Sequence, residues 1–245
     1  MKRVLIVGAT SAIAEAVARI LAARGAALYL VARDSARVQS IAADLRVRGS
    51  PLTDGEAMDA NDTAAHAAML ERAEARLGGL DTVLVAHGTL SDQEACQRSV
   101  SLAMQEIATN GLSVVALLTP VANRFEARRH GTIAVISSVA GDRGRQSNYV
   151  YGSAKALVTT FLSGLRQRLR KAGVNVITIK PGFVDTPMTA AFRKGALWAN
   201  ASQVAAGIVR AMDRNASVVY LPGFWRAIMF VIRCVPERIF IRLKL

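Results

Sequence analysis

The sequence predicts a single α/β domain on a doubly wound parallel sheet, followed by a basic, apolar C-terminal helical extension. Three observations carry this. Short β-branched or apolar runs alternate with longer, alanine-rich stretches of helical spacing. The runs are almost continuously apolar, as strands buried on both faces are. No Pro/Ser-rich linker, low-complexity tract or solenoid-period repeat interrupts the 245 residues. With 52% apolar and 20% charged residues, disorder and a polytopic membrane protein are both excluded.

The elements follow in order. Residues 4–7 (Val-Leu-Ile-Val) are too short for a signal-peptide core and lack a cleavage site, so they read as a strand. Residues 12–24 have helical spacing, and Gly25-Ala26 turns the chain into a strand at 28–32. Asp34 suits the N-cap of a helix at 35–48, and a further helix is expected at 63–77. A strand at 82–86 leads to a long helical stretch, 93–129, interrupted near Asn110. A strand at 132–137, a helix at 149–171 and strands at 174–180 and 217–221 complete the alternation. The domain is therefore placed at 1–222 and the extension at 223–245.

Chemistry first shows between the first strand and helix. Gly8 allows a sharp turn, and the N–H groups of Ala12 and Ile13 at a helix N-terminus suit a pyrophosphate, with Thr10 and Ser11 adding hydroxyl donors. Alanines 12 and 14 stand where a dinucleotide loop has its later glycines. At the end of the second strand Ala32 occupies the position of the acid that binds a ribose 2′-OH, and Arg33 follows it; that exchange favours a 2′-phosphate, hence NADP(H). Ser138 follows a strand, and Tyr151 and Lys155, one helical turn apart, follow thirteen residues later. A neighbouring ammonium is expected to favour the phenolate and bring Tyr151 toward the operating pH, while Ser138 orients a carbonyl oxygen.

With these motifs in this order, the chain resembles the short-chain dehydrogenase/reductase (SDR) superfamily, Rossmann-type in fold, over about residues 2–222. The resemblance implies that Ser138, Tyr151 and Lys155 are catalytic and that Asn110 joins a proton relay through the lysine. It also implies that Asp59 and Ala60 meet the adenine, and that Pro181, Gly182, Val184 and Thr186 grip the nicotinamide. His87 stands where the family carries an amide in Asn-Asn-Ala-Gly, as a positional substitute beside the cofactor ribose. A substrate loop is expected at about 183–200, and assembly as a homodimer or homotetramer. The helices near 112–129 and 149–170 carry apolar stripes (Val115, Leu118, Leu162, Leu165) that suit either a subunit contact or burial on the sheet. The stretch 137–153 and the closing residues 235–243 are similar to the ketoreductase subunit of the decaprenylphosphoryl-ribose 2-epimerase system. That likeness implies a lipid-linked, polyprenyl-phosphate keto sugar as substrate, with Arg143 and Arg145 meeting its phosphodiester.

Charge bounds the partners. Lys and Arg number 31 against 18 Asp and Glu, a net +13 that invites an anionic partner. No helix-turn-helix, zinc-finger or aromatic RNA-binding signature accompanies it, which sets nucleic acid aside. No His, Cys and carboxylate cluster suggests a metal, and the widely spaced Cys96 and Cys234 suit a reducing, cytoplasmic setting. The segment from Gly223 carries Arg226, Arg233, Arg238, Arg242 and Lys244 against Glu237. Two readings stand for it: a helix packed on the domain or a subunit, and a peripheral contact with acidic lipid at the inner face of the membrane. The rival substrates are another long-chain keto lipid, such as a 3-keto sphingoid base or a 3-ketoacyl compound. A non-enzymatic rival is a dinucleotide-sensing regulator.

Overall fold

Alternating side chains of the apolar runs point to opposite faces, and the tertiary structure buries both. The computed structural model describes residues 2–243. Strands β1 (Arg3–Val7), β2 (Ala27–Ala32), β3 (Thr53–Ala57), β4 (Thr82–Val85), β5 (Gly131–Ile136) and β6 (Val174–Pro181) precede a small pair, β7 (Val184–Asp185) with β8 (Ala199–Asn200); β9 (Val218–Leu221) closes the series. The main sheet runs β3-β2-β1-β4-β5-β6-β9, parallel throughout. The helices are α1 (Ala12–Ala23), α2 (Ser35–Val47), α3 (His66–Leu77), α4 (Gln93–Arg98), α5 (Val100–Ile107), α6 (Ser113–Arg128), α7 (Tyr149–Arg170), α8 (Ala201–Asp213), α9 (Trp225–Cys234) and α10 (Glu237–Phe240).

Val4, Ile6, Leu28 and Leu30 face a core made with α1, α2 and α8, while Leu5, Val7, Tyr29 and Val31 face one made with α3, α6 and α7. Leu118, Leu162 and Leu165 lie in the second core, so these stripe residues serve burial on the sheet. Residues 100–128 are long and apolar enough by composition to cross a membrane, yet Val114, Leu117, Leu118 and Val121 pack on the sheet.

Several elements differ from the sequence-based expectation. The stretch 93–129 breaks at Ser99, which is extended and caps α5 by accepting from the Leu102 N–H. At Asn110 it is not broken but widened into a π-turn, Ala108–Leu112. Strand β3 (Thr-Asp-Gly-Glu-Ala) was not anticipated, because its polar edge sequence lacks apolar alternation. Helix α8 and the pair β7–β8 were also missed, although Asn200 and Gln203 form a capping box before Val204, Ile208 and Met212. The C-terminal segment folds as α9 and α10 and buries Trp225 and Met229 against Val139; Lys244 lies outside the described residues.

Candidate active site

The order of the sheet reverses between β1 and β4, and in such sheets the crevice beyond the strand C-termini receives ligands. Gly8 follows β1, Arg33 follows β2, Asp59 and Ala60 follow β3, His87 follows β4, Ser138 follows β5, and Pro181 ends β6. Six separate stretches of sequence thus deliver their named residues to one edge.

Gly8 has φ +86, and a Cβ there would lie 2.3 Å from the His87 backbone nitrogen. The β1–α1 turn is therefore pressed against the segment after β4, leaving Thr10, Ser11 and Ala12 half-buried at the start of α1 and Ile13 beneath them. Ala14 is fully buried in the core and packs there without a glycine. Ala32 is buried, and the exposed Arg33 beyond it has no ion-pair partner among the described residues. Asp59 is exposed and accepts from the Asn61 N–H at 2.9 Å. His87 Nε2 meets the Ser113 hydroxyl at 2.9 Å, while its buried Nδ1 has no partner. Burial, with the Lys155 charge, brings His87 down to about 3, so the ring is neutral. A cradle that a Cβ would fill, an orphan imidazole nitrogen and a free guanidinium suit a dinucleotide bearing an extra phosphate.

Ser138 comes into place because the loop after β5 lies directly on α7. A Cβ on Gly141 would stand 2.7 Å from the Lys155 carbonyl carbon, so no side chain fits between them. Ser137 fastens the same contact, donating to the Lys155 carbonyl at 3.1 Å and meeting Thr159 Oγ1 at 2.8 Å. Of the adjacent serines, Ser137 is thus committed to packing and Ser138 is left beside the Tyr151 phenol. Lys155 is buried on the same face of α7, its Nζ 5.6 Å from the Tyr151 ring centroid and 3.4 Å from the Ile136 carbonyl. Asn110 is fully buried in the π-turn, and its Oδ1 and Lys155 Nζ both lie against Gly88.

The electrostatics correct one expectation. Burial pushes the Tyr151 phenol up to about 12, against the lowering by Ser138, and the same cause brings the Lys155 ammonium down to about 8. Desolvation of the charged form is the largest cause for each group, with the Glu106 charge acting on both. At neutral pH the pair is a neutral phenol beside an ammonium.

A second correction concerns Arg143. Arg143 donates to the carbonyls of Ile232 (2.6 Å) and Val235 (2.5 Å), pairs with Glu237 at 2.7 Å, and lies 3.7 Å over the Phe240 ring. Its guanidinium holds the C-terminal segment and is not turned to a substrate phosphate. Arg145 is half-buried, its Nη2 3.3 Å from Met229 Sδ, and burial lowers its pKa. Sequence spacing placed Arg143 near the pocket mouth, but the docking of α9 and α10 lay beyond its reach.

Reasoning from sequence also missed residues that line this site. Trp225 packs so closely on Gly182 that a Cβ there would fall 1.9 Å from the indole nitrogen. Phe183 stacks on Trp198 and meets Trp225 edge-on, each at 5.4 Å between ring centroids. The segment after Gly182 forms a flap, closed at its base by β7 and β8, with Phe183, Met188, Phe192 and Leu197 exposed. Lys180 and Asp142 form a buried pair beside the half-buried Tyr220: the ammonium pairs with Asp142 Oδ1, and the Tyr220 hydroxyl donates to Oδ2 at 2.7 Å. Glu106, one turn before Asn110, is buried as well; helical spacing from Asn110 was its one signal. Among the described residues no three His, Cys or carboxylate groups gather in a metal-binding arrangement.

A family model described as short chain dehydrogenase matches residues 2–196. An uncharacterized oxidoreductase of Mycobacterium tuberculosis is 35% identical over 240 residues, 98% of this chain and 96% of that protein. A 3-oxoacyl-[acyl-carrier-protein] reductase of Escherichia coli is 30% identical over 218 residues, 89% of this chain and 88% of that protein. In architecture the chain is similar to a crystal structure of an actinorhodin polyketide ketoreductase variant with NADPH (TM-score 0.81, 22% identity, covering 91% of this chain and 96% of that one).

Proposed function

This chain belongs to the short chain dehydrogenase family, and from that premise we propose that it is an NADP(H)-dependent reductase converting a ketone to a secondary alcohol. The observation that carries the reading is the convergence of Ser138, Tyr151, Lys155 and Asn110, from three separate stretches of chain, on the crevice beyond the sheet. The chemistry that a bound nicotinamide supplies is hydride donation to the carbonyl carbon. Tyr151, a phenol held up to about 12, stays protonated at neutral pH and donates its proton to the carbonyl oxygen. The Ser138 hydroxyl steadies that oxygen, and the Lys155 ammonium would hold the ribose hydroxyls and offsets the charge left on Tyr151. Asn110 completes the path by which the proton is replaced.

Gly8, Thr10, Ser11, Ala12 and Ile13 would hold the pyrophosphate, Arg33 the 2′-phosphate, Asp59 and Ala60 the adenine, and His87 the ribose. Pro181, Gly182, Val184 and Thr186 would hold the nicotinamide. Residues 1–222 make up the catalytic domain and 223–245 an extension, with assembly as a homodimer or homotetramer in the cytoplasm. For the substrate we favour a ketone on a lipid carrier, of the polyprenyl-phosphate keto-sugar type. The exposed apolar flap supports a long apolar substituent. A cationic groove of about 560 Å³, lined by Tyr220, Arg226, Phe230 and Arg233 among others, supports an anionic headgroup or inner-leaflet lipid beside it. The second reading, a 3-ketoacyl substrate, is favoured by the relative from Escherichia coli.

The test is NADPH oxidation with prenyl-phosphate keto sugars, keto lipids and 3-ketoacyl thioesters, with Tyr151→Phe alongside. Turnover is expected to fall at least ~100-fold in the variant while NADPH binding persists. Wild-type-like turnover by Tyr151→Phe would remove the mechanism. Turnover of 3-ketoacyl compounds alone would select the second substrate.

A further inference from the structure

Glu106 is 2% exposed, at the end of α5 and one turn before Asn110. Three side chains donate to its carboxylate: Thr89 to Oε2 at 2.8 Å, Ser91 to the same oxygen, and Asn110 Nδ2 to Oε1 at 2.9 Å. A carboxylate can accept from all three at once. It makes no ion pair within contact distance among the described residues, so its charge is held by hydroxyls and one amide. Such an arrangement is costly to bury unless the charge acts on something nearby.

What it acts on is Asn110 and, beyond it, Lys155. Asn110 Nδ2 is turned toward Glu106, with the Glu106 main-chain carbonyl at 3.2 Å and Thr89 Oγ1 at 3.1 Å as further acceptors. The amide oxygen therefore faces the other way, accepting from the Thr89 N–H at 3.2 Å. Asn110 Oδ1 and Lys155 Nζ lie 2.6 Å and 3.4 Å from the point where a Cβ of Gly88 would sit, so the bare glycine leaves them room to face each other. The opposite amide orientation would set Asn110 Oδ1 against a carboxylate. The other titratable groups around the pair are Cys96 on α4, His87 after β4 and Tyr151 on α7. Burial keeps all three uncharged at neutral pH, leaving Glu106 as the formal charge that acts on Lys155.

We propose that Glu106 is a positioning residue for this site: its buried carboxylate fixes the Asn110 amide so that the carbonyl oxygen faces Lys155, and supplies the negative charge that stabilises the Lys155 ammonium. The inference rests on the reductase reading above for its kinetic consequence, but not for its electrostatic one.

The experiment compares wild type, Glu106→Gln and Glu106→Asp in the full-length chain. In Glu106→Gln the alkaline limb of the kcat profile, where Lys155 loses its proton, is expected about one pH unit lower, with Glu106→Asp nearer to wild type. A purely structural defect lowers kcat equally at every pH and leaves the limb in place, which overturns the proposal. So does a Glu106→Gln enzyme with an unchanged profile. The Lys155 ammonium is also titrated directly by ¹³C NMR of lysine Cε, assigned with Lys155→Met. An unchanged titration in both Glu106 variants overturns the proposal even if wild type turns over no ketone, a result that would defeat only the reductase reading. Should Glu106→Gln not fold, Glu106→Asp, whose carboxylate ends one methylene short of Asn110, carries both measurements: a smaller downward shift of the limb and of the Lys155 titration is expected, and no shift in either overturns the proposal.

Discussion

Arg143→Ala separates two roles that the sequence alone leaves confounded. As a clamp, Arg143 holds two main-chain carbonyls in α9 and after it, Ile232 and Val235, and lies against the Phe240 ring. Discounted for partial exposure, each lost hydrogen bond costs roughly 1 kcal/mol, and the lost cation–π contact ~0.5–1 kcal/mol. The pair with Glu237, whose side chain is 76% exposed, adds little. The total is about 3 kcal/mol, acting on the local docking of residues 225–243 because the sheet does not touch these bonds. By the rule of about 1.4 kcal/mol per decade, amide protection in that segment should fall by roughly two orders of magnitude. Hydrogen–deuterium exchange read by mass spectrometry resolves the segment from the sheet, whose exchange should not change. Unaltered exchange in 225–243, together with a higher KM for a phosphate-bearing ketone, would refute the clamp and restore Arg143 to the substrate.

Three further outcomes follow from the same geometry. Arg33→Ala should raise the KM for NADPH about tenfold and leave that for NADH nearly unchanged, since the exposed guanidinium has no ion-pair partner among the described residues; parallel steady-state assays with the two nucleotides decide it. Burial brings Lys155 from its ordinary 10.5 to about 8, so between those values the unfolded chain binds more protons than the folded one. Stability from this group therefore rises with pH across that window, and urea titrations from pH 7.5 to 10.5 should show the rise in wild type and its loss in Lys155→Met. Lys180→Met strands Asp142, whose side chain is 2% exposed, beside Tyr220, at a cost of about 3–5 kcal/mol. Chemical denaturation should report that loss, with recovery when Asp142→Leu is added.

Most of the fold is readable in the linear chain because local physics writes it there. Apolar runs such as Leu28 to Ala32 can satisfy themselves only between two layers of helices, and a sharp glycine turn before a helix announces an anion site. Six of the seven strands in the main sheet were legible by this route. The exception, Thr53–Ala57, is polar because it lies at the sheet edge, and its pairing with β2 is a long-range fact. Helix α8 carried a readable cap in Asn200 and Gln203 that went unused.

What depends on distance in space was decided elsewhere. The residue types at Ser138, Tyr151 and Lys155, and their spacing, are properties of sequence. The protonation of the phenol and the ammonium is not, because desolvation depends on what covers them, and the covering atoms come from α5, the π-turn and the loop after β5. Arg143 shows the same limit: its charge is local, but its partners lie about ninety residues on. Periodicity and turn chemistry act over a few neighbours and are fixed by the chain alone. Burial, pairing and counter-charge sum over the whole folded volume, and only tertiary structure assigns them.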